Sequence, residues 1–324
     1  MDNPLVRIPK GSVQVVDADE EVFLLYTQLA AKSSQDGSEA FSGLGFVDSR
    51  SDTLSIKLDI PLFGATPSPI VPSSTSHEPK QKHMKRKRTT ASPTTKTIEI
   101  EIAQDKTALR SRKGDTGSVL WKASVDLAQL ILKQLHNPSS TTLFDHDEFA
   151  MCHVLELGSA LRAGVGLLGI LLSPWVRKYT ATDLEPLLPL IRKNIMLNET
   201  NRPNALLVES LDWEQLLRMP ANGRAAAFAV EPVDVIFVVD CIYNPSLLPA
   251  LVETIDYFTI PGRTCVVIVL ELRAEDVVRE FLAAWLARDG WTVCRIDGED
   301  DGPGRWMDER YAMWVGRKNI LGMV

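Results

Sequence analysis

Four carboxylates stand at or just beyond the ends of apolar runs, where a strand hands its chain to a turn. Glu156 lies inside CHVLELG, Asp183 closes VRKYTATD, Asp212 follows NALLVES, and Asp240 closes VDVIFVVD. In an open α/β sheet the crevice beyond the carboxyl ends of the strands is where ligands bind, so these acids are the first candidates for chemistry. Asp183 can accept both hydroxyls of a ribose, or cap the helix that follows it. Asp212 can accept from an exocyclic amine with Trp213 packed on the ring; alternatively Asp212 caps a helix and Trp213 is core. Asp240 can face the crevice, or cap the next helix or turn.

The run after the first of these strands, Gly158-Ser159-Ala160-Leu161-Arg162-Ala163-Gly164-Val165-Gly166, is glycine-rich, which lets a ligand approach the backbone closely. A plain tight turn would read the same way. Glu156 adds information, because a dinucleotide site needs no carboxylate inside that strand. A cofactor carrying an ammonium and a sulfonium, such as S-adenosylmethionine, gains from negative charge there. The five histidines form no ligand cluster, so no metal is expected.

The elements that must position these residues are legible from periodicity. Trp121, Val125, Ala128, Leu132 and Leu135 recur at helical spacing. GVGLLGILL starts a second helix. LEPLLPLIRKNIMLN starts a third, with Pro189 in its first turn, and SLLPALVETIDYF a fourth. AEDVVREFLAAWLARDG is amphipathic and predicts a helix ending at a glycine cap. VDVIFVVD and RTCVVIVLEL are continuous apolar runs, as in strands covered on both faces. WTVCRID and RYAMWVGRK close the chain as two strands with no helix between them. Repeated strand–helix units predict a doubly wound parallel sheet, and the last pair predicts one antiparallel strand.

Ahead of this core, EVFLLYTQLAAK reads as a helix, and LSIKLDI (54–60) and TIEIEIA (97–103) as an antiparallel hairpin. Between the two strands, residues of about 64–97 are rich in Pro, Ser and Thr and predict a disordered insert. Six Lys and Arg fall within 80–88 of that insert; they read as a solvated charge run, a nuclear-import signal, or a weak contact with RNA. The expected division is an N-terminal extension, 1–117, and a catalytic domain, 118–324.

Composition narrows the class further. The chain has 324 residues, 45% hydrophobic and 24% charged, with a formal charge of −7, which argues against binding nucleic acid by net basicity. Cys152, Cys241, Cys265 and Cys294 show no CxxC spacing and read as buried free thiols of a reducing compartment. The N-terminus lacks the apolar stretch of a signal peptide and no run is long enough to span a membrane, so the expectation is a cytosolic or nuclear protein, or both, and a monomer.

The ordered set TGSVLWKAS, VLELG, TATD, LDW and DCIYN, over roughly 97–318, resembles the seven-β-strand (class I) protein-lysine methyltransferases, and most of all the fungal ribosomal lysine N-methyltransferase 5 group. That resemblance implies a Rossmann-like seven-stranded sheet with the last strand antiparallel and S-adenosylmethionine as cofactor. It implies cofactor contacts at Trp121, Gly158, Ser159, Ala160, Asp183, Trp213 and Val239. It also assigns Asp240 and Tyr243 to a DxxY motif at the substrate lysine, and a ribosomal protein, of the large-subunit L1 type, as substrate. One departure is local: relatives run ELG directly into the glycine pattern, whereas Ala160-Leu161-Arg162 is interposed here. Two other readings share the fold: an RNA methyltransferase, disfavoured because DCIY lacks the prolines of nucleobase enzymes, and a non-catalytic module that keeps the cofactor site.

Overall fold

The computed structural model describes residues 5–36, 45–48, 50–62, 94–105, 119–139, 141–158, 165–198, 205–228, 230–298 and 305–320. The first elements are β1 (Val13–Val15), α1 (Ala18–Asp36) and a two-stranded hairpin of β2 (Thr53–Leu62) and β3 (Thr94–Ala103). The hairpin alternates as expected: Leu54, Ile56, Leu58 and Ile60 turn inward from β2, and Ile100 and Ile102 from β3. They bury against α2 (Lys122–His136), whose inner face is Ala123, Leu127, Ala128, Ile131, Leu132 and Leu135. Val125, expected on that face, is half-buried.

From here strands and helices alternate. α3 (His146–Ala150) leads into β4 (His153–Leu157); α4 (Leu167–Leu172) and β5 (Lys178–Asp183) follow, then α5 (Leu188–Leu197) and β6 (Leu206–Ser210). Pro189 sits in the first turn of α5, as the sequence requires. Next come α6 (Trp213–Arg218), α7 (Ala221–Ala227), β7 (Val235–Val239), α8 (Leu248–Phe258), β8 (Cys265–Glu271), α9 (Glu275–Leu286), β9 (Trp291–Arg295) and β10 (Tyr311–Lys318). The expected glycine cap of α9 is displaced: Ala287 closes the helix, and Gly290, at φ 80°, turns the chain into β9.

The sheet order is β1-β9-β10-β8-β7-β4-β5-β6. β6, β5, β4, β7 and β8 are mutually parallel, and β10 runs antiparallel between β8 and β9. This is the seven-stranded arrangement expected, with one correction. An eighth strand, β1, comes from the N-terminal extension and pairs antiparallel with β9. Alternate residues of each central strand feed two apolar cores on opposite faces: Val235, Phe237 and Val239 face α2 and the hairpin, while Ile236 and Val238 face α8 and α9.

The extension is joined to the main sheet by more than β1. Glu21 of α1, 3% exposed, accepts from Arg295 Nη1 and Trp314 Nε1, both at 2.8 Å. At the far side, Asn194 of α5 is fully buried: its Nδ2 donates to the carbonyls of Ala103 and Val165, and its Oδ1 accepts from the Ala103 amide at 2.8 Å. One turn on, Asn198 makes the same pair of bonds with the backbone of Glu101. Two side-chain amides thus stand where a further strand would pair with β3. The boundary expected at residue 117 and the insert with its 80–88 basic run lie outside the described residues.

Candidate functional site

The strand order reverses between β4 and β7: the chain builds outward from β4 through β5 to β6, then crosses back to β7. This is the switch point at which open α/β sheets bind ligands. Glu156, Gly158, Asp183, Val239 and Asp240 all stand at the carboxyl ends of the three strands around it.

Glu156 points into the sheet's interior and accepts from the Tyr179 hydroxyl at 2.9 Å. Burial pushes its carboxyl up to about 7, with the Tyr179 hydrogen bond pulling the other way. Its backbone carbonyl accepts from Thr182 Oγ1 at 2.7 Å, and the Gly158 amide donates to the Thr182 carbonyl at 3.0 Å, so the ends of β4 and β5 are laced together. Ser159, Ala160 and the interposed residues up to Gly164 lie outside the described residues. The chain resumes at Val165 and Gly166, the latter at φ 83° with a Cβ position 2.9 Å from Ile191 Cγ2. Glycine is required there on both counts.

Asp183 is wholly buried and accepts from the Leu184 amide at 2.7 Å. It does not cap the next helix, whose 3-10 first turn is preceded by Leu184. Asp212 does cap: it accepts from the Gln215 amide at 3.0 Å and starts α6. Trp213 is 1% exposed and packs in the core beside Leu216 and Leu157, and its indole N–H meets no acceptor among the described residues. For this pair the structural alternative is therefore the one observed, and Trp213 presents no open ring face.

Asp240 follows β7 with φ 56°, the one non-glycine among the described residues in the left-handed region. Neither alternative for it holds in simple form. Asn244, not Asp240, caps the following 3-10 turn. Nor is Asp240 an open carboxylate, because Arg273 donates to both of its oxygens, Nη1 to Oδ1 at 2.7 Å and Nη2 to Oδ2 at 2.8 Å. The Glu271 amide adds a third bond to Oδ1 at 3.3 Å. Arg273 also pairs with the Glu271 carboxylate, and its guanidinium lies 5.0 Å from the centroid of Trp121. Phe46 covers the same indole at 4.4 Å between ring centroids, held by a backbone bridge between the two residues. Tyr243, three residues after Asp240, is half-buried. Cys241 is walled in beside them; burial, then the charges of Asp240, Asp183 and Glu156, push its thiol far up.

Arg273, Glu271 and Phe46 were not legible as site residues. The only signal was the acid–x–arginine spacing of Glu271-Leu272-Arg273 at the end of an apolar run, and its meaning depends on β8 lying next to β7. The donor set fits a cationic ligand: Glu156 and Asp183 are buried under one sheet edge, and Glu156 ionises near neutrality, while the third acid, Asp240, is already paired with Arg273.

A family model described as lysine methyltransferase matches residues 99–285. Among curated proteins, a diaminohydroxyphosphoribosylamino-pyrimidine deaminase of Schizosaccharomyces pombe is 33% identical over 56% of this chain and 41% of its own. The protein-lysine N-methyltransferase EFM6 of Saccharomyces cerevisiae is 29% identical over 43% of this chain and 56% of its own. The ribosomal lysine N-methyltransferase 5 of Lachancea thermotolerans is 29% identical over 46% of this chain and 52% of its own. The chain thus spans less than two thirds of the length of each of these three relatives.

Proposed function

From the premise that this chain belongs to the lysine methyltransferase family, we propose that it methylates the ε-amine of a protein lysine with S-adenosylmethionine as cofactor, and that its substrate is a ribosomal protein. The observation that carries the reading is the wholly buried Asp183 at the carboxyl end of β5, beside Glu156 and Gly158 at the switch point. The relatives named as lysine methyltransferases support the substrate class, and that of Lachancea thermotolerans bears on the ribosomal choice by name.

In this reading Asp183 accepts the ribose hydroxyls, and Glu156 and the glycine-rich segment from Gly158 hold the amino-acid end. Val239 and the Trp121 side of the crevice border the reacting centre. S-adenosylmethionine, when bound, supplies a methyl carbon made electrophilic by its sulfonium. The residues of the chain have three tasks: to exclude water, to align the amine, and to tolerate its neutral form. A lysine of ordinary pKa pays about 4–5 kcal/mol for neutrality at pH 7. Alignment and desolvation supply the larger share of acceleration, since the methyl carbon needs no further activation.

The test is transfer of tritium from labelled S-adenosylmethionine into total ribosomal protein, followed by protease or RNase treatment and by amino-acid analysis. Label in methyl-lysine, lost to protease and retained after RNase, supports the reading. Label released by RNase would replace it with RNA methylation. Asp183→Ala is expected to abolish donor binding in calorimetry; binding within threefold of wild type would remove Asp183 from the site.

A further inference from the structure

Asp240, the acid assigned to the substrate amine, already has a cation. A carboxylate offers about four lone-pair positions. Three on Asp240 are taken, by Arg273 Nη1, Arg273 Nη2 and the Glu271 amide. Arg273 is fixed from other sides as well: Glu271 pairs with it, the Trp121 ring lies under it, and Gly45 roofs it so closely that a Cβ there would run into Arg273 Nη2 and Glu271 Oε2. A guanidinium suits this position as an ammonium does not, because it spans both carboxylate oxygens while stacking on an indole.

The consequence concerns the proton on the substrate lysine. An unopposed buried carboxylate next to an amine favours the ammonium form, which cannot attack a methyl carbon. A carboxylate neutralised by a fixed guanidinium still accepts one hydrogen bond from an N–H but holds the proton far less firmly. We propose that Arg273 is a positioning residue of the methyl-transfer site, holding Asp240 so that its remaining lone pair orients the lysine amine without keeping it protonated. The inference rests on the lysine-methylation reading above. It gives the strained backbone at Asp240 a purpose: φ 56° turns the carboxylate toward the end of β8, where Arg273 waits.

The experiment is the pH dependence of the initial rate at saturating tritiated S-adenosylmethionine, with total ribosomal protein as acceptor, for wild type, Arg273→Gln and Arg273→Lys. The wild-type rate rises with pH as the acceptor amine loses its proton. In Arg273→Gln the rising limb is expected to move up by about one pH unit, with a rate at pH 7.5 at least tenfold lower. Arg273→Lys keeps the charge but not the two-point clasp, so its limb is expected near the wild-type position with a rate still several-fold reduced. A purely structural role would lower the rate of both variants without moving the limb, and that result overturns the proposal. So do variants that match wild type in rate and limb. Should Arg273→Gln fail to fold, Arg273→Met, neutral and of similar volume, takes its place: a limb moved up by about one pH unit upholds the inference, and a lowered rate with an unmoved limb overturns it. If wild type itself places no label on lysine, the functional reading fails and the inference falls with it, which is distinct from an active wild type with indifferent variants.

Discussion

Arg273 clasps Asp240 through two parallel hydrogen bonds of 2.7 and 2.8 Å, joining the ends of two adjacent parallel strands. The Asp240 side chain is 2% exposed and that of Arg273 21%, so the pair is shielded from the screening that weakens surface ion pairs.

Asp240→Asn should therefore affect stability and turnover differently. Asparagine tolerates the left-handed backbone and keeps one acceptor, but leaves a largely buried guanidinium with Glu271 as its remaining carboxylate. Breaking such a pair from one side costs roughly 3–5 kcal/mol, with the lower end expected where an acceptor remains. Denaturant unfolding measures this. Methyl transfer is expected to drop at least tenfold while S-adenosylmethionine affinity stays within threefold. A variant turning over at the wild-type rate would detach Asp240 from the substrate amine.

Glu156 makes the site sensitive to pH near neutrality. Burial pushes its folded-state carboxyl up to about 7, from an ordinary value of 4.5. A raised carboxyl stabilises the fold at low pH, and that contribution is lost as pH rises from about 4.5 through 7. Glu156→Gln keeps an acceptor for Tyr179 and cannot ionise. Relative to wild type it should gain stability between pH 5 and pH 8, by roughly 3 kcal/mol at most. The same variant should bind the cationic donor about tenfold more weakly at pH 8, and the wild-type affinity should rise with pH through 7. Parallel thermal melts and calorimetry at the two pH values check both signs; a Glu156→Gln stability offset equal at pH 5 and 8 would refute the shift.

Glu21 ties the N-terminal helix to the last two strands. It is buried, with Arg295 at 2.8 Å on one oxygen and Trp314 Nε1 at 2.8 Å on the other, and the Arg295 side chain is 5% exposed. Glu21→Ala leaves the buried Arg295 with Asp297, at 3.2 Å, as its remaining carboxylate and orphans a buried indole N–H, and should cost roughly 3 kcal/mol, the lower end for a buried pair broken from one side. Loss of protection in β1, α1 and β9 by hydrogen exchange would accompany it. A melting temperature unchanged from wild type would mean that α1 is not fastened here.

What the sequence revealed and what it hid follow from the range of the interactions. VIFVV predicts a strand because every one of its residues is apolar, and Asp240 after it must stand at a strand end; both are local facts. β1 is three residues, too short to show a period, and exists because β9 offers it an edge. Asn194 looks like one more polar residue on an amphipathic helix until Ala103 and Val165, 91 and 29 positions away, are brought to it. Asp212 and Trp213 carried two readings each, and only the packing of α6 against the core separates them. Arg273 is the plainest case. Its partner is 33 residues away, and nothing in ELRAED says which strand lies alongside.

Gly45 tests whether the extension shapes the reaction or only supports the fold. It sits at φ 72°, a conformation that costs an L-residue about 1–2 kcal/mol, and its backbone carbonyl accepts from the Lys122 amide at 2.9 Å. A methyl group there would press on both Glu271 Oε2 and Arg273 Nη2, so neither the backbone nor the ion pair can keep its place. Gly45→Ala should therefore lower stability by at least that backbone cost and reduce methyl transfer more than tenfold, the second effect exceeding what partial unfolding explains at 20 °C. Comparing the rate of the folded fraction with that of Gly11→Ala, whose added Cβ would meet nothing within 4 Å, isolates the contact. Equal rates for the two variants would make residues 45–48 a passive cover.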